Sequence, residues 1–260
     1  MRIGTVGFIV LAGAALRAPG AGAEDFRWSE ALAAGQTLEI KGVNGAIEAL
    51  PAAAALAEVT ATKRGHHSDP AEVEIKVVKH PGGVTVCAVY PSRRAGRPNE
   101  CEPGEGGRLG AEDNDVDVHF VVKVPVGVGF VARTVNGSVD ADGIGGDVDA
   151  HTVNGAIRVS AKGLAQAETV NGSIKATLGR SDGTEPLDFK TVNGSISIDL
   201  PANSNANVRA ATVNGDIDTD FPLTVKGHLT SKSLSGTLGA GGRALNLETV
   251  NGSIRLRKAS

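Results

Sequence analysis

Thr191-Val192-Asn193-Gly194-Ser195-Ile196 decides how this 260-residue chain is read, because close copies of it recur through the C-terminal half. Val-Asn-Gly occurs seven times, at Asn44, Asn136, Asn154, Asn171, Asn193, Asn214 and Asn251, and Ser233-Leu234-Ser235-Gly236 is a degenerate copy. From Asn136 onward the steps are 18, 17, 22, 21, 21 and 16 residues, a period that marks stacked supersecondary units. A hydroxyl stands two residues before the Asn position (Thr134, Thr152, Thr169, Thr191, Thr212, Ser233, Thr249), and an aliphatic residue three after it (Val139, Ile157, Ile174, Ile196, Ile217, Leu238, Ile254). Apolar and polar residues alternate at period two on both sides, so each copy reads as strand, corner, strand, with one face buried.

Two all-β architectures satisfy this pattern. Asn-Gly between alternating runs is a strong hairpin signal, since both residues tolerate positive φ, and a meander of hairpins would follow. The alternative is a β-solenoid of about seven Thr-Val-Asn-Gly coils, preceded by an N-terminal β region, with equivalent residues stacked about 4.8 Å apart. The solenoid is favoured, because in-register stacking rewards like-on-like columns of Thr, Val, Asn and Gly, whereas a hairpin needs only the Asn-Gly. It predicts a corner ladder through Asn136, Asn154, Asn171, Asn193, Asn214, Ser235 and Asn251, interrupted by the short Ser235 hydroxyl and ending at Asn251. Three segments follow: a leader at 1–23, an N-terminal β-strand region at 24–130, and the repeat solenoid at 131–260.

The leader has a positive start at Met1-Arg2, an uncharged apolar stretch from Ile3 to Leu16, and small residues at Ala21-Gly22-Ala23. This is the form of a secretory signal peptide cleaved before Glu24, and the apolar run is short for a membrane span; an N-terminal anchor is the alternative. No second run long enough to span follows, so no transmembrane segment is expected in the mature chain. The expected location is outside the cytoplasm, either periplasmic or at the cell surface. Cys87 and Cys101, 14 residues apart, suit that compartment as a structural disulfide, with two free thiols as the alternative. The net charge of −3 becomes −5 without Arg2 and Arg17, which argues against nucleic acid as a partner.

The tandem Thr-Val-Asn-Gly-Ser-Ile copies behind a signal peptide resemble a bacterial β-strand-repeat family of unknown function that carries the name putative adhesin. Leu38-Glu39-Ile40-Lys41-Gly42-Val43-Asn44-Gly45-Ala46-Ile47 and the run from Val116 to Gly127 are similar to that family as well. The resemblance spans about residues 36–260 and implies a β-solenoid, an envelope or surface location and no established catalytic residues. Against longer relatives of that family, no membrane helix, sorting motif or lipidated Cys is expected in this chain.

The remaining motifs have bland readings beside the chemical ones. The acidic stretch 112–117, Glu112-Asp113-Asn114-Asp115-Val116-Asp117, offers oxygen ligands for Ca²⁺ but lacks the Gly and distal Glu of an EF-hand loop, and a solvated loop is favoured. His66-His67 has no third metal ligand near it in sequence. Gly104-Glu105-Gly106-Gly107-Arg108-Leu109-Gly110 lacks the Lys-Ser/Thr end of a phosphate loop. No catalytic, cofactor or metal residues are assigned, no cofactor is expected, and the chain is read as a non-enzyme. The expected function is an adhesin-like binding or structural role at the envelope, toward an envelope protein or cell-surface component. A regulatory, stress-related envelope scaffold and an exported carbohydrate-active enzyme are the alternatives. One Trp and one Tyr, both outside the repeats, leave no aromatic row for a glycan and weigh toward protein contacts.

Overall fold

Alternation builds two facing sheets that share one apolar interior. The structure, a computed structural model, describes residues 23–92, 98–179, 185–225 and 232–259; the expected leader lies outside the described residues apart from Ala23. Among the described residues one sheet has ten strands and the other eleven, and most neighbouring strands in the middle of each run parallel. The fold is an all-β, solenoid-like repeat. Each Val-Asn-Gly copy places its first strand in one sheet, turns at the Asn-Gly corner, and enters the other: Val148–His151 then Ile157–Ala161, Ala165–Glu168 then Ile174–Leu178, Leu187–Lys190 then Ile196–Leu200. Inward positions are filled by Ile157, Ile174, Ile196 and Ile254 from one sheet, and by Phe130, Ala150, Ala167 and Phe189 from the other, all essentially without exposure. A core this poor in aromatics closes because the two sheets lie close enough for Ile, Val, Leu and Ala to fill the gap.

The rungs do not follow chain order throughout. Parallel bridges run Asn44–Asn136–Asn154–Asn171–Asn193–Asn251, and Asn251 is paired with Asn214 on its other side. The last coil in sequence is thus the penultimate coil in space. Ala244–Asn251 lies between Leu187–Lys190 and Ala206–Asn214, and Ile254–Lys258 lies between Ile196–Leu200 and Ile217–Thr219. At the other end, Thr37–Lys41 and Ile47–Pro51 form the first coil around Asn44. The boundary expected at residue 130 falls inside Gly129–Arg133, whose neighbours are Thr37–Lys41 on one side and Val148–His151 on the other, so both sheets cross it unbroken.

Residues 52–92 and 98–128 depart from the first coil and return to cap it. Leu56–Arg64 and Asp117–Val124 extend the ten-stranded sheet, and Gly83–Val89 and Glu74–His80 extend the eleven-stranded one. Among the described residues the one helical element is a 3₁₀ turn at Pro70–Glu72, opened by the Asp69 side chain accepting from the Ala71 amide. None is a helix long and apolar enough to cross a membrane.

Candidate interaction ridge

Stacking gives each column of the motif a separate task. The Thr hydroxyls are buried and donate to the glycine carbonyl of the preceding coil: Thr152 to Gly137 at 2.8 Å, Thr169 to Gly155 at 3.0 Å, Thr191 to Gly172 at 2.8 Å, Thr249 to Gly194 at 2.8 Å and Thr212 to Gly252 at 2.9 Å. Glycine is required by close approach. A Cβ on Gly172 would stand 1.9 Å from the Gly155 carbonyl oxygen, and one on Gly194 would stand 2.0 Å from that of Gly172. No side chain fits there.

The Asn side chains form an amide ladder on the outside of the corner. Each Nδ2 donates to the Oδ1 of the preceding rung: Asn136 to Asn44 at 2.9 Å, Asn154 to Asn136, Asn171 to Asn154 and Asn193 to Asn171 at 2.8 Å, Asn251 to Asn193 at 2.7 Å, and Asn214 to Asn251 at 2.8 Å. Ser235 is no member. It lies in Ser233–Leu238, which runs antiparallel to Ala206–Asn214 and sets Ser235 opposite Arg209. Lacking Asn, the degenerate copy continues as a straight strand and turns no corner. Asn251 is an interior rung, and Asn214 is the last. Asn44 is the member that spacing hides: it carries the motif, but 92 residues separate it from Asn136.

Beside the amides stands a row of valines. Val153, Val170, Val192 and Val250 are 38–40% exposed and Val213 is 56% exposed, and Val135 continues the row half-buried. On the other flank Ser195 and Ser253 present hydroxyls that accept from the next rung, Ser253 N to Ser195 Oγ and Asp216 N to Ser253 Oγ. The corner is therefore a ridge of Val, Asn and mostly Ser, repeating at the strand spacing of about 4.8 Å, with the exposed Asp216 in the Ser column of the last rung as its one charge.

Charge gathers instead on the outer face of the eleven-stranded sheet, beneath the loop closed by the disulfide. Cys87 and Cys101 are bonded, with Cα atoms 5.7 Å apart. Lys41 Nζ is buried and donates to the carbonyls of Glu102 at 2.6 Å, Gly106 at 3.0 Å, and Gly104. These three acceptors use all three ammonium protons. The buried Glu39 carboxylate accepts from Thr85 Oγ1 at 2.8 Å and Gly104 N at 2.9 Å, and lies 3.4 Å from Arg133 Nε and 3.8 Å from Lys41 Nζ. The glycine-rich segment is thus a lid strapped to the sheet by its own carbonyls. Tyr90 is buried in the same region, its hydroxyl donating to Val116 O at 2.7 Å, and burial holds the phenol well above its ordinary pKa.

The other residues singled out by sequence are engaged structurally. Asp115 accepts from Ser68 N at 2.9 Å and His67 N at 2.9 Å, and meets His67 Nδ1 at 2.8 Å. The Ser68 amide and then the His67 ring hold its carboxyl well below the usual carboxylate range. Asn114 Nδ2 donates to Glu72 Oε2 at 3.0 Å, so residues 112–117 brace the 3₁₀ turn. No three His, Cys, Asp or Glu side chains among the described residues are grouped to hold a metal ion. A shallow groove of about 740 Å³ crosses the rungs near Gln36, Val131, Asp149, Lys162 and Gln166. Asp149 there is 2.7 Å from His151 Nε2, and the neighbouring Asp147 accepts from Leu164 N at 2.7 Å.

Residues 130–257 match the Toastrack DUF4097 family. The Toastrack match takes in every rung from Asn136 to Asn251 and leaves out the Asn44 coil, which stacks on the same ladder. Among solved structures, a "putative cell adhesion protein" from Clostridium sporogenes is similar over 91% of this chain and 100% of its own, at 9% identity and a TM-score of 0.50, a likeness of fold. A "putative adhesin" from Bacteroides fragilis covers 91% of this chain and 97% of its own at 10% identity, with a TM-score of 0.35. A "putative lipid binding protein" from Parabacteroides distasonis covers 92% and 98% at 8% identity, with a TM-score of 0.26. No curated protein matches the sequence.

Proposed function

We propose that this chain is a non-catalytic, adhesin-like protein of the cell envelope, exported to the periplasm or surface, whose working surface is the Val-Asn-Ser ridge. The exposed valine row carries this reading. Five valines at 38% exposure or more lie side by side on successive rungs, where the inward positions of the same strands are filled and sealed. Contiguous apolar surface of that kind marks contact sites on soluble proteins. The flanking Asn and Ser columns add polar groups whose one charge is Asp216 on the last rung, and the ridge carries no aromatic ring for stacking on a sugar, so the partner is a protein or a comparably regular surface. The ladder fixes the spacing of the row, which turns a single weak contact into several in register.

Fractionation of the native host tests the reading. The protein is expected in the envelope fraction, held there through the ridge, and Val170→Asp with Val192→Asp should release it while leaving the melting temperature near that of the parent. Retention unchanged in that variant, or recovery of the parent in the cytoplasm, would overturn the proposal.

A further inference from the structure

The two ends of the stack are finished differently. At the C-terminal end, Leu223–Val225 and Ser233–Leu238 form an antiparallel pair over the last rung of the eleven-stranded sheet, and Phe221 is buried with Lys258 Nζ 5.7 Å from its ring. At the N-terminal end both sheets stop at long antiparallel strands, Ala23–Ala31 and Glu74–His80, which have no further partner strand among the described residues. The last inward layer consists of Phe26 and Trp28 from one strand and Ile75 and Val77 from the other. All four are only half-buried, whereas Phe120, Phe130 and Phe189 deeper in the stack are sealed. The Pro70–Glu72 turn covers one side of this layer, and the Glu30–Lys79 ion pair bridges the sheets across it. Solenoid ends need a polar cap, and this one presents apolar side chains beside nine residues of open strand edge.

Charge on that edge selects an occupant. On the outward face Asp25, Arg27 and Ser29 alternate with the inward Phe26 and Trp28. Residues directly opposite in an antiparallel pair point to the same face, so a strand meeting its own copy about a two-fold axis must centre on a residue. Centring on Arg27 sets two guanidinium groups against each other. Centring on Phe26 sets Asp25 of each copy opposite Arg27 of the partner subunit and places the two Phe26 rings side by side. No other register pairs Asp25 with Arg27.

We propose that Ala23–Ala31 is a self-association edge, through which two copies join head to head in the register centred on Phe26. The dimer continues the ten-stranded sheet across the two-fold axis and lays a second copy's side chains beside Phe26 and Trp28, which the described residues leave half-buried. It leaves the Val-Asn-Ser ridge of both copies open, so it stands independently of the function proposed above.

Sedimentation velocity on the purified protein across about 1–100 μM should show a concentration-dependent dimer. Arg27 is exposed, so Arg27→Asp should keep the parent's circular dichroism and melting temperature while weakening dimerisation about tenfold or more by setting like charges opposite each other. The exchange Asp25→Arg with Arg27→Asp should restore it. Phe26→Cys should form a disulfide-linked dimer on mild oxidation, since paired Cα atoms in this register lie about 4.5–5.5 Å apart. A monomer at every concentration would overturn the proposal. So would a dimer as strong in Arg27→Asp as in the parent, or one that Phe26→Cys does not crosslink.

Discussion

The run from Asn136 to Asn193 and the segment from 52 to 128 hold strands together by opposite means. In the first, every rung repeats the same contacts: a Thr hydroxyl on a glycine carbonyl, an Asn amide on an Asn amide, a glycine under a glycine. In the second, nothing repeats. A disulfide, three carbonyls that saturate the first coil's Lys41, a buried tyrosine and an aspartate clasping a turn each occur once. The repeat gains stability as a sum over neighbours, so damage to one interior rung is felt on both sides. The cap relies on single tertiary devices, and losing one should loosen a loop while the stack survives.

The largest effect should come from glycine. Gly172→Ala puts a Cβ 1.9 Å from the Gly155 carbonyl oxygen in the middle of the stack, and should cost about 3 kcal/mol or more in urea melts. Gly215→Ala makes a similar contact, 2.1 Å from the Gly252 oxygen, but on the last rung, which can shift outward. It should cost clearly less, and equal losses would mean that the rungs are not coupled.

Reduction of Cys87–Cys101 comes next. Opening a cross-link that spans 14 residues should cost about 3 kcal/mol by the chain-entropy model, with the β-rich circular dichroism spectrum kept after reduction. Collapse of the whole spectrum on reduction would show that cap and stack are one cooperative unit.

The amide ladder offers a finer test. Asn251→Ala removes one bond given to Asn193 and one received from Asn214, and should cost about 1–2 kcal/mol. Asn214→Ala removes one bond and should cost about 0.5–1 kcal/mol. Ser235→Asn, opposite Arg209 in an antiparallel pair, should gain nothing. A larger loss at Asn214 than at Asn251 would contradict the spatial order of the rungs.

The smallest effect is spectroscopic. Tyr90 is the chain's one tyrosine, so phenolate absorbance reports it alone. Its folded-state pKa is raised by burial, so its contribution to stability is complete below the ordinary phenol value of about 10 and is lost as pH rises beyond it. The parent should show no phenolate near pH 10 while folded. The reduced protein, with its lid released, should ionise at lower pH than the oxidised one, and identical titrations would detach Tyr90 from the disulfide loop.

Much of the stack is legible one residue at a time. Period-two alternation gives the buried faces of Val148–His151 and Ile157–Ala161, and the identity of the Thr and Gly columns points to stacking rather than hairpins, because only stacking lets one rung's hydroxyl reach the next rung's carbonyl. The Val column is legible as aliphatic, and its exposure follows from phase: alternation continues through the buried Thr152 and Thr191, so Val153 and Val192 fall on the outward side although they are apolar. The cap's contacts were invisible because Lys41 meets Gly104 and Asp115 meets Ser68 across gaps of 63 and 47 residues, with no periodicity to link them.

Sequence by itself determined what each rung is made of, since hydroxyl, aliphatic, amide and glycine answer to local geometry that every copy shares. Only the tertiary structure decided the order in which the rungs stand. The motifs at Asn44, Asn214 and Asn251 carry nearly the same surfaces as the rest, so each could dock against any other rung. What selects Asn44 for the start, Asn251 for the slot beside Asn193 and Asn214 for the end lies outside the motif. The chain leaves the Asn193 coil through Pro201 and returns as an antiparallel pair, Ala206–Asn214 with Ser233–Leu238, and that pair closes one edge and leaves the other for the final coil. Equivalent surfaces make a stack possible; the connections between them fix its sequence in space.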